Sequence, residues 1–228
     1  MEALTMAKLV MIVGILIGIS LDSVFGQSVD SMVTSEFFDG IISQAGTGCA
    51  GKTFYTRSAF LEAAKSFPGF GDAGSATKSK REIAAFFAHV TFGTGHFCYI
   101  EEIARGTHCL NSTQYPCNPD KKYYGRGPIQ LTWNYNYGAA GESIGFDGLN
   151  NPDIVATNVT ISFKTALWYW MEYIHSAITS DLGFGRTIRR INGGVCHGKN
   201  EKEVRARVGY YKDYCDQLGV SPGPNLYC

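Results

Sequence analysis

Residues 81–103, REIAAFFAHVTFGTGHFCYIEEI, decide the fold, because they begin as a strongly amphipathic helix. The large apolar residues recur at steps of three and four, which places them on one helix face: Ile83, Phe86, Phe87 and Val90. Ser79 followed by Glu82 has the pattern of a capping box, so we predict that the helix begins there. The pattern breaks up at residues 92–95, where two glycines precede His96.

The rest of the chain favours helices over strands. Further helices are predicted from caps and periodicity: one capped by Ser35, one starting at Thr56, one around residues 162–174, and one around 201–218 that stops at Gly219. Strand signals are confined to residues 123–131, YYGRGPIQL, which we interpret as a short hairpin or irregular ribbon. We therefore predict a mainly α domain with a small irregular β element.

Residues 1–26 have the features of a secretory signal peptide. An apolar run from Leu9 to Ile19 follows a lysine, and Gly26 offers a small residue for cleavage before Gln27. A membrane anchor is the alternative, but the run is about half of the ~20 residues that span a bilayer. We predict a single domain over residues 27–228 that is secreted to the extracellular space (apoplast) or reaches the vacuole through the secretory pathway. After cleavage we expect no membrane partner.

The charge of the chain excludes one large class of partner. Twenty basic and twenty acidic residues give a formal net charge of zero, and the basic residues are scattered along the sequence. Proteins that bind nucleic acid rely on a concentrated positive field. We therefore expect no nucleic-acid partner.

Seven cysteines follow the leader: Cys49, Cys98, Cys109, Cys117, Cys196, Cys215 and Cys228. In an oxidising compartment they should mostly pair, and an odd number leaves one over. A zinc site is the alternative, but no two cysteines have the CxxC spacing. We predict disulfides, with neither a metal nor a cofactor.

Two segments near the opening helix carry candidate chemistry. Glu101-Glu102 lies close to Cys98, and an acidic pair in a loop is either solvated charge or a held pair of carboxylates. Residues 123–137, YYGRGPIQLTWNYNY, combine glycines, amides and aromatic rings. Flat rings suit pyranose faces and amides suit sugar hydroxyls, so this composition is suggestive of a carbohydrate cleft.

The two histidines of the opening helix cannot share one metal ion. His89 and His96 share a face with Gly93, but they stand two turns apart, or roughly 10 Å. The simplest interpretation of His89 is a partly buried ring that hydrogen-bonds to the protein.

Several long motifs resemble one enzyme family. They are YYGRGPIQLTWNYNYG, NPDIVATN, ALWYWM, INGG before Cys196, and VGYYKDYCDQLGV ending in PGPNLYC. From Val33 to Cys228 the chain is similar to plant glycoside hydrolase family 19 chitinases, closest to the class IV catalytic domain. The resemblance implies a lysozyme-like, two-lobed helical fold that binds β-1,4-linked N-acetylglucosamine chains and cleaves them with inversion. Inversion requires a general acid and a general base on opposite sides of the bond, ~6.5–9.5 Å apart.

The resemblance places the general acid in a His-Glu-Thr-Gly-His segment and the base nine residues later. This chain has residues 92–96, FGTGH, at the first position, and Glu102 lies nine residues after Gly93. The acid is therefore missing while the base position is retained. A helix cap is the alternative explanation of Gly93, but Gly95 is already available for that role.

A second departure lies around Cys196. The family carries a glutamate just before this cysteine, in a charge network with the acid and an arginine that matches Arg207; here the residue is Val195. Phe92 also replaces the histidine beside the acid. The resemblance thus implies that Arg207 has lost two carboxylate partners.

The binding side of the predicted cleft is kept. By resemblance, Gln130, Tyr135, Asn136 and Asn192 match positions that contact sugar, together with Arg207 of the network. Thr132 matches a residue that helps to hold the attacking water.

The resemblance also implies the disulfide pairs Cys49–Cys98, Cys109–Cys117 and Cys196–Cys228, with Cys215 free. Asn111 and Asn158 begin sequons compatible with N-glycosylation. We expect no separate chitin-binding module of the kind the family carries, because no cysteine lies between Gln27 and Cys49 to form its dense disulfide framework.

Two functions from different classes follow. The first is a secreted, defence-related chitinase homologue, inactive or strongly impaired, that binds chitin oligomers as a monomer. The second is an active endochitinase that uses Glu102 as base and recruits Glu101 or His96 as an unorthodox acid. A protein-interaction role with an idle cleft is a further alternative.

Overall fold

The computed structural model describes residues 28–228, and its regular structure is almost entirely helical. The predicted signal peptide and its cleavage site lie outside the described residues. Within them, the helices are α1 (Val29–Met32), α2 (Ser35–Ile42), α3 (Gly51–Phe54), α4 (Arg57–Ala64), α5 (Ala76–Thr94), α6 (Asn134–Ile144), α7 (Ile154–Thr157), α8 (Val159–Tyr173), α9 (His175–Thr179), α10 (Phe184–Asn192) and α11 (Glu201–Gln217). None of these helices is long and apolar enough to cross a membrane.

The opening stretch forms the central helix α5, but the predicted start and end of this helix were wrong. Ser75, not Ser79, caps it: the Ser75 hydroxyl accepts a hydrogen bond from the Lys78 amide at 3.3 Å. Ser79 lies inside the helix, where its hydroxyl accepts from the Ala73 amide. The helix also continues through residues 92 and 93 to Thr94, and Gly95 ends it in the left-handed conformation.

The other predicted helices are present with small changes at their ends. Thr34, rather than Ser35, caps α2, and Thr56 caps α4 as expected. The helix predicted around 162–174 starts earlier, because Asn158 caps α8 by accepting from the Ile161 amide at 3.0 Å. Helix α11 ends just before Gly219, whose φ of 63° is suited to glycine.

Two hydrophobic clusters form two lobes. The larger cluster surrounds α5, which packs against α11 and carries a row of buried phenylalanines. The smaller cluster packs around the middle of the chain and consists of Tyr123, Leu131, Tyr137, Ala140, Val155 and Trp168. The predicted two-lobed, mainly α fold is therefore confirmed.

The predicted β element is irregular and is organised by Arg126. Its backbone makes isolated bridges with Glu101 and Leu131, so no regular strand forms among residues 28–228. The side chain of Arg126 is buried, donates to Tyr137 at 2.9 Å and lies over the ring of Tyr124 at 3.7 Å. This arrangement fixes the backbone beside Glu101.

The covalent links agree with the sequence analysis. Disulfides join Cys49–Cys98, Cys109–Cys117 and Cys196–Cys228, and Cys215 is a free, buried thiol. Both sequon asparagines, Asn111 and Asn158, are exposed. Glycosylation of either stays a prediction.

A buried carboxylate joins α5 to the helices packed against it. Glu82 is fully buried and accepts hydrogen bonds from the Gly71 amide at 3.0 Å, the Trp170 indole at 2.9 Å and His175 Nδ1 at 2.5 Å. The hydrogen bond to this carboxylate raises the pKa of His175 above its ordinary value, against the opposing effect of burial.

This pair predicts a pH-dependent contribution to stability. A histidine whose pKa is raised on folding stabilises the fold fully below its unfolded pKa of about 6.5, and the contribution is lost as pH rises through the folded value. Replacing His175→Asn should therefore lower the free energy of unfolding more at about pH 5 than at about pH 8.5. Urea unfolding of both proteins at the two pH values measures this difference.

The natural protein and the His175→Asn variant must be compared at each pH, because two other histidines change the pH dependence of stability in the opposite direction. Burial, and then the charge of Arg207, lowers the pKa of His89 well below its ordinary value, and burial lowers that of His96. Both therefore reduce stability as pH falls below about 6.5. An equal loss in His175→Asn at both pH values would contradict the prediction.

Candidate active site

A cleft runs between the two lobes. Its main cavity has a volume of about 560 Å³ and is lined by the larger lobe through residues such as Gly93 and Asn192, and by the 129–136 segment of the smaller lobe. A neighbouring cavity of about 640 Å³ shares Gly93, Glu102, His108 and Gln130 with it. The two cavities form one extended groove that passes between Gly93 and Glu102.

Glu102, the predicted base, is held in place by four polar contacts. Its backbone amide donates to the Gly125 carbonyl at 2.8 Å, and its carboxylate accepts from the amides of Gly125 at 3.1 Å and Gly106 at 3.3 Å, and from His108 Nε2 at 3.1 Å. Partial burial raises the pKa of Glu102, but these hydrogen bonds and His108 outweigh it, so the pKa is lower than usual. Glu102 is thus an ionised carboxylate at the edge of the groove, as a general base must be.

Gly93, where the sequence analysis placed the missing acid, lines the groove from α5. Its backbone is helical, with no positive φ that would require glycine. Beyond the helix's own backbone and the adjacent residues, a Cβ added at Gly93 would meet only Cγ of Gln130, at 3.8 Å, which is ordinary contact. The site therefore has room for a longer side chain, although glycine weakens a helix interior by ~1 kcal/mol relative to alanine.

Arg207 has a carboxylate partner that the sequence analysis did not identify. Its guanidinium, 6% exposed, donates to Glu203 at 2.8 Å and 3.3 Å, one helical turn earlier on α11. It also donates to His89 Nδ1 at 2.9 Å and lies over the ring of Phe92 at 4.1 Å. One carboxylate thus balances Arg207 without a glutamate at positions 93 or 195.

Val195 is separated from the groove. It is buried in the larger hydrophobic cluster and lines a different cavity, with Val204 and Tyr227. The contacts of Arg207 therefore reach Phe92, His89 and Glu203. Val195, which stands where the family carries a glutamate, takes no part in them.

His89 lies on α5 and His96 just after its end, and contacts within the protein surround both rings. His89 is buried, with Nε2 bonded to the Thr187 hydroxyl at 2.8 Å and Nδ1 accepting from Arg207. His96 Nε2 is buried with no hydrogen-bond partner among the described residues, and the ring packs against Tyr210. His89 contacts the groove only as a neutral, fully bonded ring, and His96 does not line the main cavity.

All of the predicted sugar contacts line the main cavity. They are Gln130, Thr132, Tyr135, Asn136, Asn192 and Arg207. Three of these side chains also fix the backbone of the segment: Gln130 Nε2 donates to the Gly127 carbonyl, Thr132 to that of Gln130, and Asn136 to that of Thr132. The side chain of Asn192 makes no hydrogen bond within residues 28–228 and is free to bind a ligand.

Sequence reasoning missed Trp133 and His108. Trp133 is 39% exposed, lines the groove and stacks on Tyr135 at 6.1 Å with an interplanar angle of 13°. The aromatic density of residues 123–137 was a signal for it. His108 gave no signal, because only the fold of the 103–108 loop brings it to Glu102.

Sequence comparisons match this chain to one family profile and to plant chitinases. The glycoside hydrolase family 19 profile described as "Chitinase class I" matches residues 32–180 and 173–228. Endochitinase EP3 of Arabidopsis thaliana is 63% identical over 207 residues, covering 89% of this chain and 75% of that protein. Chitinase 4 of Oryza sativa subsp. japonica is 61% identical over 207 residues, covering 89% and 72%.

The fold leads to the same family. The crystal structure of the family GH19, class IV chitinase from Zea mays matches with a TM-score of 0.85 and 57% identity, covering 87% of this chain and 98% of that chain. With its helical lobes, its interlobe groove and these relatives, the chain belongs to the glycoside hydrolase family 19 chitinases.

Proposed function

We propose that this protein is a chitinase homologue that binds β-1,4-linked N-acetylglucosamine oligomers in its groove and cleaves them very slowly or not at all. One observation carries the proposal: α5 presents Gly93 to the groove, and Glu102 is the only carboxylate that lines the main cavity within the described residues. A positioned general acid contributes ~10²–10⁴ in rate. Binding without efficient cleavage is the expected behaviour of such a groove.

The retained binding surface supports the proposal. The groove keeps amides, a hydroxyl and the exposed Trp133–Tyr135 pair, which provide hydrogen bonds and flat apolar faces for sugar rings. As a predicted secreted or vacuolar, defence-related protein, it would act on glycans outside the cytosol. A monomer is sufficient for this role.

An active endochitinase with an unorthodox acid is the second candidate. Glu101 lines the neighbouring cavity, which favours this alternative. However, its carboxylate already accepts from the Tyr124 hydroxyl at 2.6 Å and from Arg105 at 2.9 Å. Glu101 also adjoins Glu102 in the chain and would approach from the side of the base, so we favour the impaired enzyme.

Oligomer binding is the first test of the proposal. N-acetylglucosamine oligomers should bind more tightly as their length increases, as measured by calorimetry. Replacing Asn192→Ala should weaken binding of the hexamer by ~1–3 kcal/mol, because a buried hydrogen bond to sugar is lost. Gln130→Ala and Asn136→Ala should also weaken it, with an added effect on the backbone of the groove.

The matched control is Asn151→Ala, which removes an exposed amide outside the groove. It should leave the affinity unchanged. If the hexamer gives neither heat nor thermal stabilisation, the groove is idle and the protein-interaction alternative replaces this proposal.

A further inference from the structure

The space beside Gly93 is large enough for a small molecule. Gly93 lines both cavities of the groove, and the first contact of an added Cβ is Gln130 Cγ at 3.8 Å. Gly93 is still helical, one residue before the last residue of α5. A carboxyl group that is not attached to the chain could therefore lie where a glutamate side chain would end.

The guanidinium of Arg207 has N–H donors that no group within the described residues accepts. An arginine carries five N–H donors, and the three hydrogen bonds of Arg207 go to Glu203 twice and to His89 once. The two remaining N–H groups have no partner among the described residues, although Arg207 is buried and lines the main cavity. Phe92 covers one face of the guanidinium, so its open edge is the place for a ligand oxygen.

We infer that the space between Gly93 and Arg207 is a binding site for a small carboxylic acid, such as formic or acetic acid, which acts there as the general acid that the chain lacks. This inference rests on the proposed function, because it needs a groove that binds the oligomer but lacks an acid. Cleavage then depends on a second small molecule.

The proton balance of the step is complete. The O–H of the bound acid gives its proton to the glycosidic oxygen as the bond from C1 to that oxygen breaks, and the acid becomes a carboxylate. A water oxygen bonds to C1 from the opposite side, and Glu102 takes one proton from this water. The carboxylate and the protonated Glu102 then exchange protons with solvent, so the net reaction adds one water across the bond.

The charge of the site permits the neutral acid. Arg207 is already balanced by Glu203, so no uncompensated positive charge forces a bound acid to ionise. The ionised Glu102 across the groove also disfavours a second negative charge.

The experiment compares acetate with chloride at equal ionic strength, at about pH 4.5–5, where part of the acetic acid is neutral and a carboxyl such as Glu102 is largely ionised. We expect acetate to increase the initial rate of hexamer cleavage saturably, by about tenfold or more, as part of what a positioned acid supplies. Gly93→Gln should abolish the increase, because an uncharged side chain of similar size to glutamate fills the space.

Trimethylacetate is the matched additive control, because it has the same charge as acetate but a bulkier, branched body. An equal increase with trimethylacetate, or in Gly93→Gln, would overturn the inference, since the additive would then act as a general buffer. Calorimetry on the same sample separates the two proposals. Hexamer binding without an acetate effect overturns this inference alone, whereas rapid cleavage in chloride or no binding overturns the proposed function as well.

Discussion

Replacing Gly93→Glu should raise the rate of chitin-oligomer cleavage by ~10²–10⁴, the contribution of a positioned general acid. At 1.36 kcal/mol per tenfold, this corresponds to roughly 3–5 kcal/mol of activation free energy. The structure supplies the reasons: Gly93 lies within helix α5, an added Cβ meets only Gln130 Cγ at ordinary contact distance, the cavity beside it is open, and hydrogen bonds hold Glu102 in the lining of the same cavity.

The expected size of this effect depends on Glu203. From the sequence alone, Gly93→Glu is expected to restore little cleavage activity, because an unbalanced Arg207 would keep the new carboxyl ionised. The triple variant, which adds Phe92→His and Val195→Glu, is expected to restore more. The ion pair of Arg207 with Glu203 removes that imbalance. Val195, moreover, does not face the groove. We therefore expect the single replacement to achieve most of the gain.

Two controls isolate the acid. Gly93→Gln has nearly the same size but no proton to give, so it should stay inactive. Glu102→Gln in the Gly93→Glu background should abolish the gain, because the water loses its base. If Gly93→Glu alone does not raise the rate while the triple variant cleaves, the acid needs the histidine at 92 and the glutamate at 195, as the sequence implied. If the unmodified protein cleaves at a normal family rate and Glu101→Gln or Glu102→Gln stops it, the unorthodox-acid alternative is correct.

The second large effect concerns stability. Replacing Glu82→Ala should lower the free energy of unfolding by ~3–5 kcal/mol, because removing one partner of a buried pair leaves the other without compensation. His175, the Trp170 indole and the Gly71 amide all lose their acceptor. The change in the urea midpoint measures this loss.

Glu62→Ala is the matched control. Glu62 pairs with Lys65 on an exposed face of α4, where solvent screens the charges and such pairs contribute little to stability. We expect almost no change in its midpoint. Similar midpoints for Glu82→Ala and Glu62→Ala would show that the buried cluster contributes no more than a surface pair.

Periodicity predicted which helices exist better than where they begin. The periodic apolar patterns of α5 and α11 are long enough to identify both helices, but the cap of α5 was placed at Ser79, one turn after the serine that caps it, Ser75. The sequence favoured Ser79 because Glu82 completes a capping box. In the fold, Glu82 instead accepts hydrogen bonds from Gly71, Trp170 and His175, which lie 11 or more residues away in sequence. Tertiary contacts therefore determined where the helix begins.

The site was predicted in part for a similar reason. The residues of the 130–136 segment could be identified because a continuous motif carries them. Glu203 could not, since it forms one of two similar i, i+4 pairs on α11. The Glu201–Arg205 pair is exposed, whereas in the second pair Arg207 is buried and Glu203 is partly buried. Only the packing of α11 against α5 distinguishes the two pairs.

The cap of α8 determines how its sequon should be removed. The cap uses the side-chain oxygen of Asn158, whereas a glycan is attached through the nitrogen, so a sugar there would leave the start of the helix intact. The common Asn→Gln substitution would instead remove the cap, at ~0.5–2 kcal/mol, and a loss of stability could be mistaken for an effect of the glycan. Thr160→Ala removes the attachment signal and keeps the cap, so it separates the sugar from the helix.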